Sequence, residues 1–378
     1  MERATLKIDF NRNVLVSLLE SNHDRAMDMQ HTYPKIDQWL VAKENPTMKQ
    51  LADIADKFNI PFGYFFLENI PQKEYSLPHF RTNGQRTFDP SSELVDTVGT
   101  IKERQTWASE ILRELRDDKL PFANSLNIND SVESAVESVK NILGLTGDWA
   151  EEMPTWTEAF TTLISKAEAA GIFVVVNGVV NNNTHRKLSV KEFRGFVLYD
   201  DFAPFIFVNN SDAVSAKIFT IIHEITHILI GKSASFDLRQ LTPASDPAEL
   251  FCDSTAAEFL VPAAKLIEKF RTYGKNYESL ARTFKVSQIV IARRLYDLGK
   301  ISREEFFAFY EAHISKETNT PAGTGGNFYN TVPYRISKRF FELIHNTVQQ
   351  NKILYTDAFR LTGLKSKTYD QCTRKYLK

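Results

Sequence analysis

Apolar residues recur at the three- and four-residue spacing of amphipathic helices through most of the chain, and a short central stretch departs from that spacing. Residues 172–176 form a continuous apolar run rich in valine, which is typical of a buried strand. Residues 194–199 and 204–208 predict two more strands, joined by a turn at Asp200 and Asp201. The pattern therefore predicts an α+β fold that is mostly helical, with a small sheet at its centre.

A helix is predicted over residues 219–231, directly after the third strand. The polar run at residues 209–212 supplies N-cap candidates, apolar residues fill the middle, and a closing glycine can end the helix. Because an α-helix turns about 100° per residue, His223 and His227 project from one face, one turn apart. Their ring nitrogens can reach a single Zn²⁺, with Glu224 beside them to hold a water.

A hydrolytic zinc site needs a third protein ligand and one open position for water. The best candidate comes from the next predicted helix, which opens with Asp246 as N-cap followed by a proline. Glu249 and Asp253 share a face of this helix, so Glu249 is predicted as the third ligand and Asp253 as a hydrogen-bond acceptor for a ligand histidine. Cys252, a softer ligand about 80° round the helix, and Glu258, which faces elsewhere, are weaker candidates.

Composition places the chain among soluble globular proteins, because 43% of its 378 residues are hydrophobic and 25% are charged. A net charge of −1 gives the whole molecule no bulk attraction to nucleic acid or anionic membrane. Its two cysteines, Cys252 and Cys372, exclude a disulfide framework or a four-cysteine zinc ribbon. The start lacks an apolar signal core and no run approaches the length of a membrane span, so we expect a cytoplasmic protein without a membrane partner.

The first 70 residues predict a small helical module, with helices over residues 14–19, 36–41 and 47–58 and a cap at Thr47. Tight turns between short helices suggest a helix-turn-helix domain. Residues 1–70 hold eight Lys or Arg and ten Asp or Glu, a net of −2, which is poor for binding phosphates. A helical dock for a protein partner explains the same pattern.

Residues 71–150 are predicted as a linker, rich in turn formers up to residue 90, followed by a helical segment. Residues 151–315 are assigned to the unit that carries the metal site. Within it, residues 277–299 predict two helices around a turn, with Ser287 as N-cap. Three bases of this pair could meet phosphate, although a helical hairpin that closes the core explains the same residues: Lys285, Arg293 and Arg294.

The C-terminal end of the chain is strongly basic. Residues 316–378 contain a flexible linker at residues 319–327 and hold eleven Lys or Arg against four Asp or Glu, a net of +7. Residues 355–370 predict a helix, a turn at Gly363 and a second helix. If the chain touches nucleic acid, this basic module is the predicted site, with contacts from four residues: Lys365, Lys367, Arg374 and Lys375.

Together these motifs resemble the ImmA/IrrE family of zinc metallopeptidases, in particular long members with an Xre-type helix-turn-helix domain at the N-terminus. The resemblance runs from about Trp39 to the end of the chain and consists of short blocks in the family's order. The blocks are residues 46–67, 77–81, 193–196, 203–209, 219–227, 249–253, 256–262 and 325–328. The fold that it implies is a small-sheet, zincin-like core flanked by helical modules at both ends.

The resemblance implies zinc-dependent cleavage of a protein, usually a helix-turn-helix repressor, which relieves repression of stress, mobile-element or toxin-antitoxin genes. On the matched positions, His223, His227 and Glu249 would be zinc ligands and Glu224 the catalytic base. Glu224 would take the proton of the attacking water and deliver it to the leaving amine, while Zn²⁺ polarises the scissile carbonyl. Asp253 stands where many relatives carry Asn, which is compatible with a hydrogen bond to a ligand histidine.

Two parts of this mechanism have several candidates. Charge that builds on the tetrahedral oxygen needs a donor, and Tyr199 and His185 lie near the site-forming strands in sequence. The third strand is a candidate edge for holding an extended peptide by strand addition, although a plain core strand explains the same residues: Ala203, Pro204, Phe205, Ile206, Phe207 and Val208.

Two other functional classes stay open. The chain could be a DNA-binding transcriptional regulator whose zinc site senses or stabilises, or the toxin component of a toxin-antitoxin or phage-defence pair. The N-terminal module is short around residues 23–29, where the first helix of the recognition pair should lie. A protein substrate is the predicted partner, DNA is a second candidate, and a homo-oligomer is left open.

Overall fold

The computed structural model describes residues 7–21, 23–58, 60–68, 90–115, 117–233, 246–317 and 328–377. Both predicted linkers, residues 71–90 and 319–327, lie outside these ranges apart from Pro90. The chain divides into two compact units, residues 1–75 and 76–378. The N-terminal unit contains α1 (Arg12–Ser21), α2 (His23–Thr32), α3 (Ile36–Leu40), α4 (Met48–Phe58) and a 3₁₀ helix (Phe62–Phe66).

All three helices predicted for the N-terminal unit are present. Thr47 and Gln50 cap α4 reciprocally, because each main-chain N–H donates to the other side chain, at 2.9 and 3.3 Å. The expectation that a helix is missing around residues 23–29 is wrong, since α2 covers them. Met29 of α2 is buried in the same core as Trp39, which gives this polar helix the tertiary support that its own composition lacks.

The larger unit consists of helices that precede and follow the three strands of a small sheet. Its elements before the helix that carries His223 and His227 are α5 (Ser92–Glu114), α6 (Val132–Leu143), α7 (Trp149–Glu152), α8 (Trp156–Ala169), β1 (Phe173–Asn177), a 3₁₀ helix (Val180–Asn182), β2 (Gly195–Leu198) and β3 (Phe205–Asn209). The helices that follow are α9 (Val214–Leu229), α10 (Pro247–Leu260), α11 (Ala263–Tyr273), α12 (Tyr277–Phe284), α13 (Gln288–Asp297), α14 (Arg303–Glu317), α15 (Phe328–Ile336), α16 (Lys338–Gln349), α17 (Tyr355–Thr362) and α18 (Ser366–Tyr376).

The three predicted strands form one sheet in the order β1-β3-β2. β3 pairs parallel with β1, with Phe205 opposite Phe173, and antiparallel with β2, with Val208 opposite Gly195. The prediction that β3 is a free edge for strand addition is therefore wrong, because both of its edges are already paired. β3 is instead a plain core strand, which is the alternative explanation of its apolar sequence.

Alternate residues of each strand enter two different hydrophobic cores. On one face, Val174, Val197 and Ile206 pack with α8, α9, α12 and α13. On the other face, Phe173 and Phe205 pack with α5 and the C-terminal helices α15 to α18. The larger unit is therefore a three-layer arrangement, with the sheet between two helical layers. Among the described residues, no helix combines the length and apolar character that a membrane span requires.

The α12–α13 hairpin belongs to the α9 layer. Ser287 caps α13 as predicted, its hydroxyl accepting from Val290 N–H at 3.2 Å, and Leu280 and Leu295 are fully buried. The bases considered for phosphate binding are occupied within the chain: Lys285 donates to the Arg282 carbonyl, Arg293 pairs with Asp297, and Arg294 pairs with Glu258. Of the two predicted alternatives, the structure supports a hairpin that closes the core.

Candidate metal centre

The N-cap position of the helix that carries the histidines lies one residue after the polar run that was predicted to supply the cap. Ala213 occupies the N-cap position of α9 and makes no side-chain cap. The polar run at residues 209–212 does not supply the cap, because it serves the loop. Asn209 donates from its side-chain amide to the Phe193 carbonyl and accepts from Ser211 N–H, at 3.1 and 3.0 Å.

The other end of α9 is held by a segment that precedes α6. Main-chain N–H groups of Asn124 and Leu126 donate to the carbonyls of Ile228 and Leu229 at 3.0 and 2.9 Å. These bonds satisfy carbonyls that a helix end leaves unpaired. Gly231 follows with φ of +66°, the left-handed conformation that the sequence predicts for the glycine after this helix.

The second helix of the site starts as predicted. The Asp246 carboxylate accepts from Ala248 N–H at 2.9 Å, and Pro247 occupies the first turn. α10 packs against both α9 and α6. This packing brings Glu249, which is 5% exposed, onto the histidine face of α9.

Donor atoms of three side chains meet in the interior of the larger unit. His223 Nε2 and His227 Nε2 are 3.1 Å apart. Glu249 Oε2 lies 3.2 Å from His223 Nε2, and Glu249 Oε1 lies 3.4 Å from His227 Nε2. Within the described residues, these three side chains form the group of potential metal ligands. The structure thus assembles the three residues predicted as ligands.

The separations fit a tetrahedral ion. With ligand bonds of about 2.0–2.1 Å, neighbouring ligand atoms around a tetrahedral zinc are about 3.3–3.4 Å apart. The two Nε2 atoms, 3.1 Å apart, are close to that spacing, and each of them has one oxygen of the Glu249 carboxylate at a similar distance, 3.2 Å for His223 and 3.4 Å for His227. Two imidazoles and one carboxylate are the donor set of many hydrolytic zinc sites. His223, His227 and Glu249 therefore fit a divalent cation of this kind.

Charges around the cluster also favour a cation. Burial lowers the pKa of His223, but the carboxylates of Asp253 and Glu249 outweigh it and hold the pKa well above its usual 6.5. His227 is buried with less compensation, so its pKa is lowered. Burial raises the pKa of Glu249, yet hydrogen bonds from both histidines prevail and depress it. The carboxylates of Glu249 and Asp253 thus lie against the imidazoles, where their negative charge favours a bound cation.

Glu224 is buried beside the cluster, with 4% of its surface exposed. Burial raises the pKa of its carboxyl to about 8, and the charge of His223 acts against that rise. Its Oε2 atom is buried and has no hydrogen-bond partner among the described residues. A carboxyl of this kind can exchange a proton near neutral pH, as general acid–base catalysis requires.

Gly195, at the start of β2, is a site residue that the sequence reasoning did not single out. A Cβ atom there would lie 2.4 Å from Thr220 Cγ2, 2.7 Å from the Phe207 carbonyl oxygen and 3.7 Å from Glu224 Oε1. The absence of a side chain lets α9 approach β2 closely at the carboxyl group. A glycine inside an apolar strand pattern is the sequence signal for such an approach.

Gly195→Ala is therefore expected to destabilise the larger unit by about 1–3 kcal/mol, because the new methyl group meets backbone that cannot rotate away. Chemical denaturation monitored by circular dichroism would measure the loss. Gly147→Ala is the matched control, since a Cβ at Gly147 meets nothing within 4 Å and should change stability by under about 0.5 kcal/mol. Equal stability of the two variants would contradict the close approach.

Asp253 lies one turn after Glu249 on α10. Its Oδ1 atom is 3.0 Å from His223 Nδ1, an ion-pair contact on the ring nitrogen opposite the cluster. Asp253 therefore occupies the predicted position, behind a ligand histidine, and its carboxylate helps to hold the pKa of that histidine above its usual value.

Asp253→Ala is expected to weaken zinc binding about 10- to 100-fold, because His223 loses the group that orients its ring. Asp253→Asn keeps an acceptor at the same place and should recover much of that affinity. Competition with a chromophoric chelator would measure both variants. Affinities of Asp253→Ala that match the wild type would show that the contact does not position His223.

The weaker ligand candidates face away from the cluster. Cys252 packs in an apolar group with Ala135 of α6, and burial raises the pKa of its thiol. Glu258 accepts from Ala263 N–H at 3.1 Å and pairs with Arg294. Neither side chain belongs to the group of potential ligands found in the described residues.

The two oxyanion-donor candidates lie in different places. Tyr199 N–H donates to Ser233 Oγ at 3.1 Å, just beyond α9, and its hydroxyl donates to Asp201. Its predicted role would require the hydroxyl bond to open, and stays a prediction. His185 is exposed in a loop whose next residue, Arg186, pairs with α5 on the opposite face of the sheet. That position argues against His185 as the donor.

The fold and the three-donor site are compatible with a metal site of the kind that hydrolytic metalloenzymes use. Residues 167–296 match the family model of the IrrE N-terminal-like domain, Peptidase_M78. The match covers the whole sheet, α9 and α10, and it indicates a peptidase domain of the ImmA/IrrE type. Residues 336–375 match a domain of unknown function, DUF8813. No curated protein and no solved structure matches the chain.

Proposed function

We propose that the chain is a zinc-dependent endopeptidase that cleaves a protein substrate. The observation that carries this proposal is the cluster of donor atoms from His223, His227 and Glu249, with Glu224 buried beside it. The match to a peptidase family supports hydrolysis of peptide bonds over a purely structural metal site. The donor set of two imidazoles and one carboxylate favours zinc among the divalent metals.

His223 and His227 would hold the ion through Nε2, and Glu249 through its carboxylate. A zinc ion in that position supplies Lewis acidity for the scissile carbonyl and for the attacking water. Glu224 takes a proton from the water as its oxygen bonds to the carbonyl carbon. It then passes that proton to the amine nitrogen as the C–N bond breaks. Asp253 keeps the His223 ring oriented while this happens.

The substrate backbone would run along β2 rather than β3. In an antiparallel pair the main-chain groups of alternate residues face the partner strand. Asn209 N–H of β3 donates to the Arg194 carbonyl, so the groups of Gly195 and Val197 point to the other edge. An extended peptide added at that edge would pass close to Glu224, because Gly195 adjoins its carboxyl group.

The natural substrate that the ImmA/IrrE resemblance implies is a helix-turn-helix repressor, whose cleavage would relieve repression of stress, mobile-element or toxin-antitoxin genes. A transcriptional regulator with a stabilising metal, or a toxin component, remains the alternative. Glu224 favours the enzyme, because a stabilising site has no use for a buried carboxyl group beside its ligands.

Metal content and hydrolysis of an unstructured protein such as casein, measured together, test this function. We expect about one zinc per chain, hydrolysis that stops when a chelator removes it, and recovery when zinc is returned. Absence of metal after purification with zinc supplied would refute the zinc site. A stably bound zinc with no cleavage of unfolded proteins or of helix-turn-helix repressors would favour the regulator.

A further inference from the structure

The last three helices form a compact group on the sheet face opposite α9. Phe341 of α16 and Phe359 of α17 pack on Tyr369 of α18, which is buried with Cys372 in the same core as Phe173 and Phe205. Gly363, with φ of +67°, makes the turn between α17 and α18. The predicted helix, turn and helix are thus present, and they have the order of elements of a helix-turn-helix unit.

Several bases of this segment have partners within the chain. Lys352 pairs with Glu114, Arg360 with Glu103, and Lys338 with Glu342, while Arg339 bonds to the Glu168 carbonyl. The contacts of Lys352, Arg360 and Arg339 fasten the C-terminal helices to α5 and α8. They account for part of the positive charge of residues 316–378 without any external partner.

Three further bases lie on α18 and at its N-cap. Within the described part of the chain, Lys365, Lys367 and Arg374 form no ion pair, and all three are exposed. Lys365 is the N-cap residue of α18, and the other two lie on its first and third turns. Lysine and arginine side chains that nothing in the chain neutralises are the usual contacts to phosphates.

The exposed face of α18 is polar throughout. It consists of Ser366, Lys367, Asp370, Gln371, Arg374 and Lys375, which lie on the side of the helix opposite Tyr369 and Cys372. An amphipathic helix that binds membranes would present large apolar residues, which this face lacks. One acid among these bases leaves the face positive, with Gln371 near its centre.

We propose that the exposed face of α18 binds double-stranded DNA in the major groove. Lys365, Lys367 and Arg374 would contact phosphates at the groove walls, and Gln371 is placed to reach base edges. B-form DNA admits an α-helix in its major groove, whereas the deep and narrow major groove of duplex RNA does not. The second helix of a helix-turn-helix pair is the one that enters the groove.

This activity goes beyond the proposed peptidase. The three-layer fold puts α9 and α18 on opposite faces of the sheet, so a bound duplex would leave the metal centre open. One chain could then hold DNA and a protein substrate at the same time. A peptidase brought to DNA would meet DNA-bound proteins at a high local concentration.

Fluorescence anisotropy of a labelled mixed-sequence duplex, titrated with the full-length chain at several salt concentrations, tests the proposal. The test variant changes Lys365, Lys367 and Arg374 together to Gln. The matched control changes three exposed bases of the α9 layer to Gln: Lys166, Arg271 and Lys300. Circular dichroism and zinc content establish that both variants are folded.

We expect the test variant to bind DNA at least about ten-fold more weakly and to lose about three from the slope of log affinity against log salt, since each phosphate contact contributes about one. The control variant should keep most of the affinity. Absence of binding to the duplex, or equal binding by the two variants, would overturn the proposal. Equal affinity for duplex RNA or for anionic vesicles would also overturn it.

Discussion

Replacing Glu249 by alanine is expected to leave the purified protein without its metal, with a fall in zinc affinity of about 100-fold or more. Among the described residues, Glu249 is the carboxylate that contacts the Nε2 atoms of both histidines. Without it, two neutral imidazoles would have to hold a doubly charged ion. The site would lose the negative charge of Glu249, and the ion would lose its third protein ligand.

Glu258→Ala is the matched control for that experiment, because Glu258 lies on the same helix but pairs with Arg294. Elemental analysis gives the metal content of each variant, and competition with a chelator gives the affinity. Glu258→Ala should keep the wild-type zinc. If Glu249→Ala kept it and Glu258→Ala lost it, the third ligand would be misassigned.

Replacing Glu224 by glutamine is expected to lower the rate of peptide hydrolysis about 10²- to 10⁴-fold while the zinc content stays unchanged. Glutamine has the shape of glutamate but cannot take a proton from water. Its amide is neutral, so it can remain at this buried position without disturbing α9. Steady-state cleavage of a fluorogenic peptide or of casein would measure the loss.

An identical chemical change at an exposed position provides the control. Glu268→Gln on α11 removes one carboxylate from the surface and should leave the rate within about two-fold, as surface changes usually do. Wild-type hydrolysis by Glu224→Gln would exclude Glu224 as the proton carrier. Loss of zinc from Glu224→Gln would instead assign it to metal binding.

The ligand set could be predicted from sequence because its geometry is local. His223 and His227 are one helical turn apart whatever surrounds them, and the same holds for Glu249 and Asp253 on the next helix. The helix boundaries near them depend on caps that can be found in the chain, such as Asp246. What sequence leaves open is whether the two helices meet, and the packing of α10 on α9 supplies that contact.

The substrate strand could not be predicted in the same way. All three strands are apolar runs, and such runs do not reveal which strand lies at the centre of a sheet. The pairing of β3 on both sides depends on the parallel crossover from β1, a long-range contact. The close approach at Gly195 likewise depends on where α9 crosses β2, so its glycine was visible in the sequence while its role was not.

Local rules thus determined the elements, their caps and the chemical identity of the site, because those properties follow from residues within one or two turns of each other. Tertiary structure decided the strand order, the burial that raises the pKa of Glu224 to about 8, and the division of helices between two faces. It also decided which bases are neutralised, since Arg360 and Lys352 meet acids more than 200 residues away while Lys365 and Lys367 do not. Such pairings depend on the path of the whole chain, which no local pattern encodes.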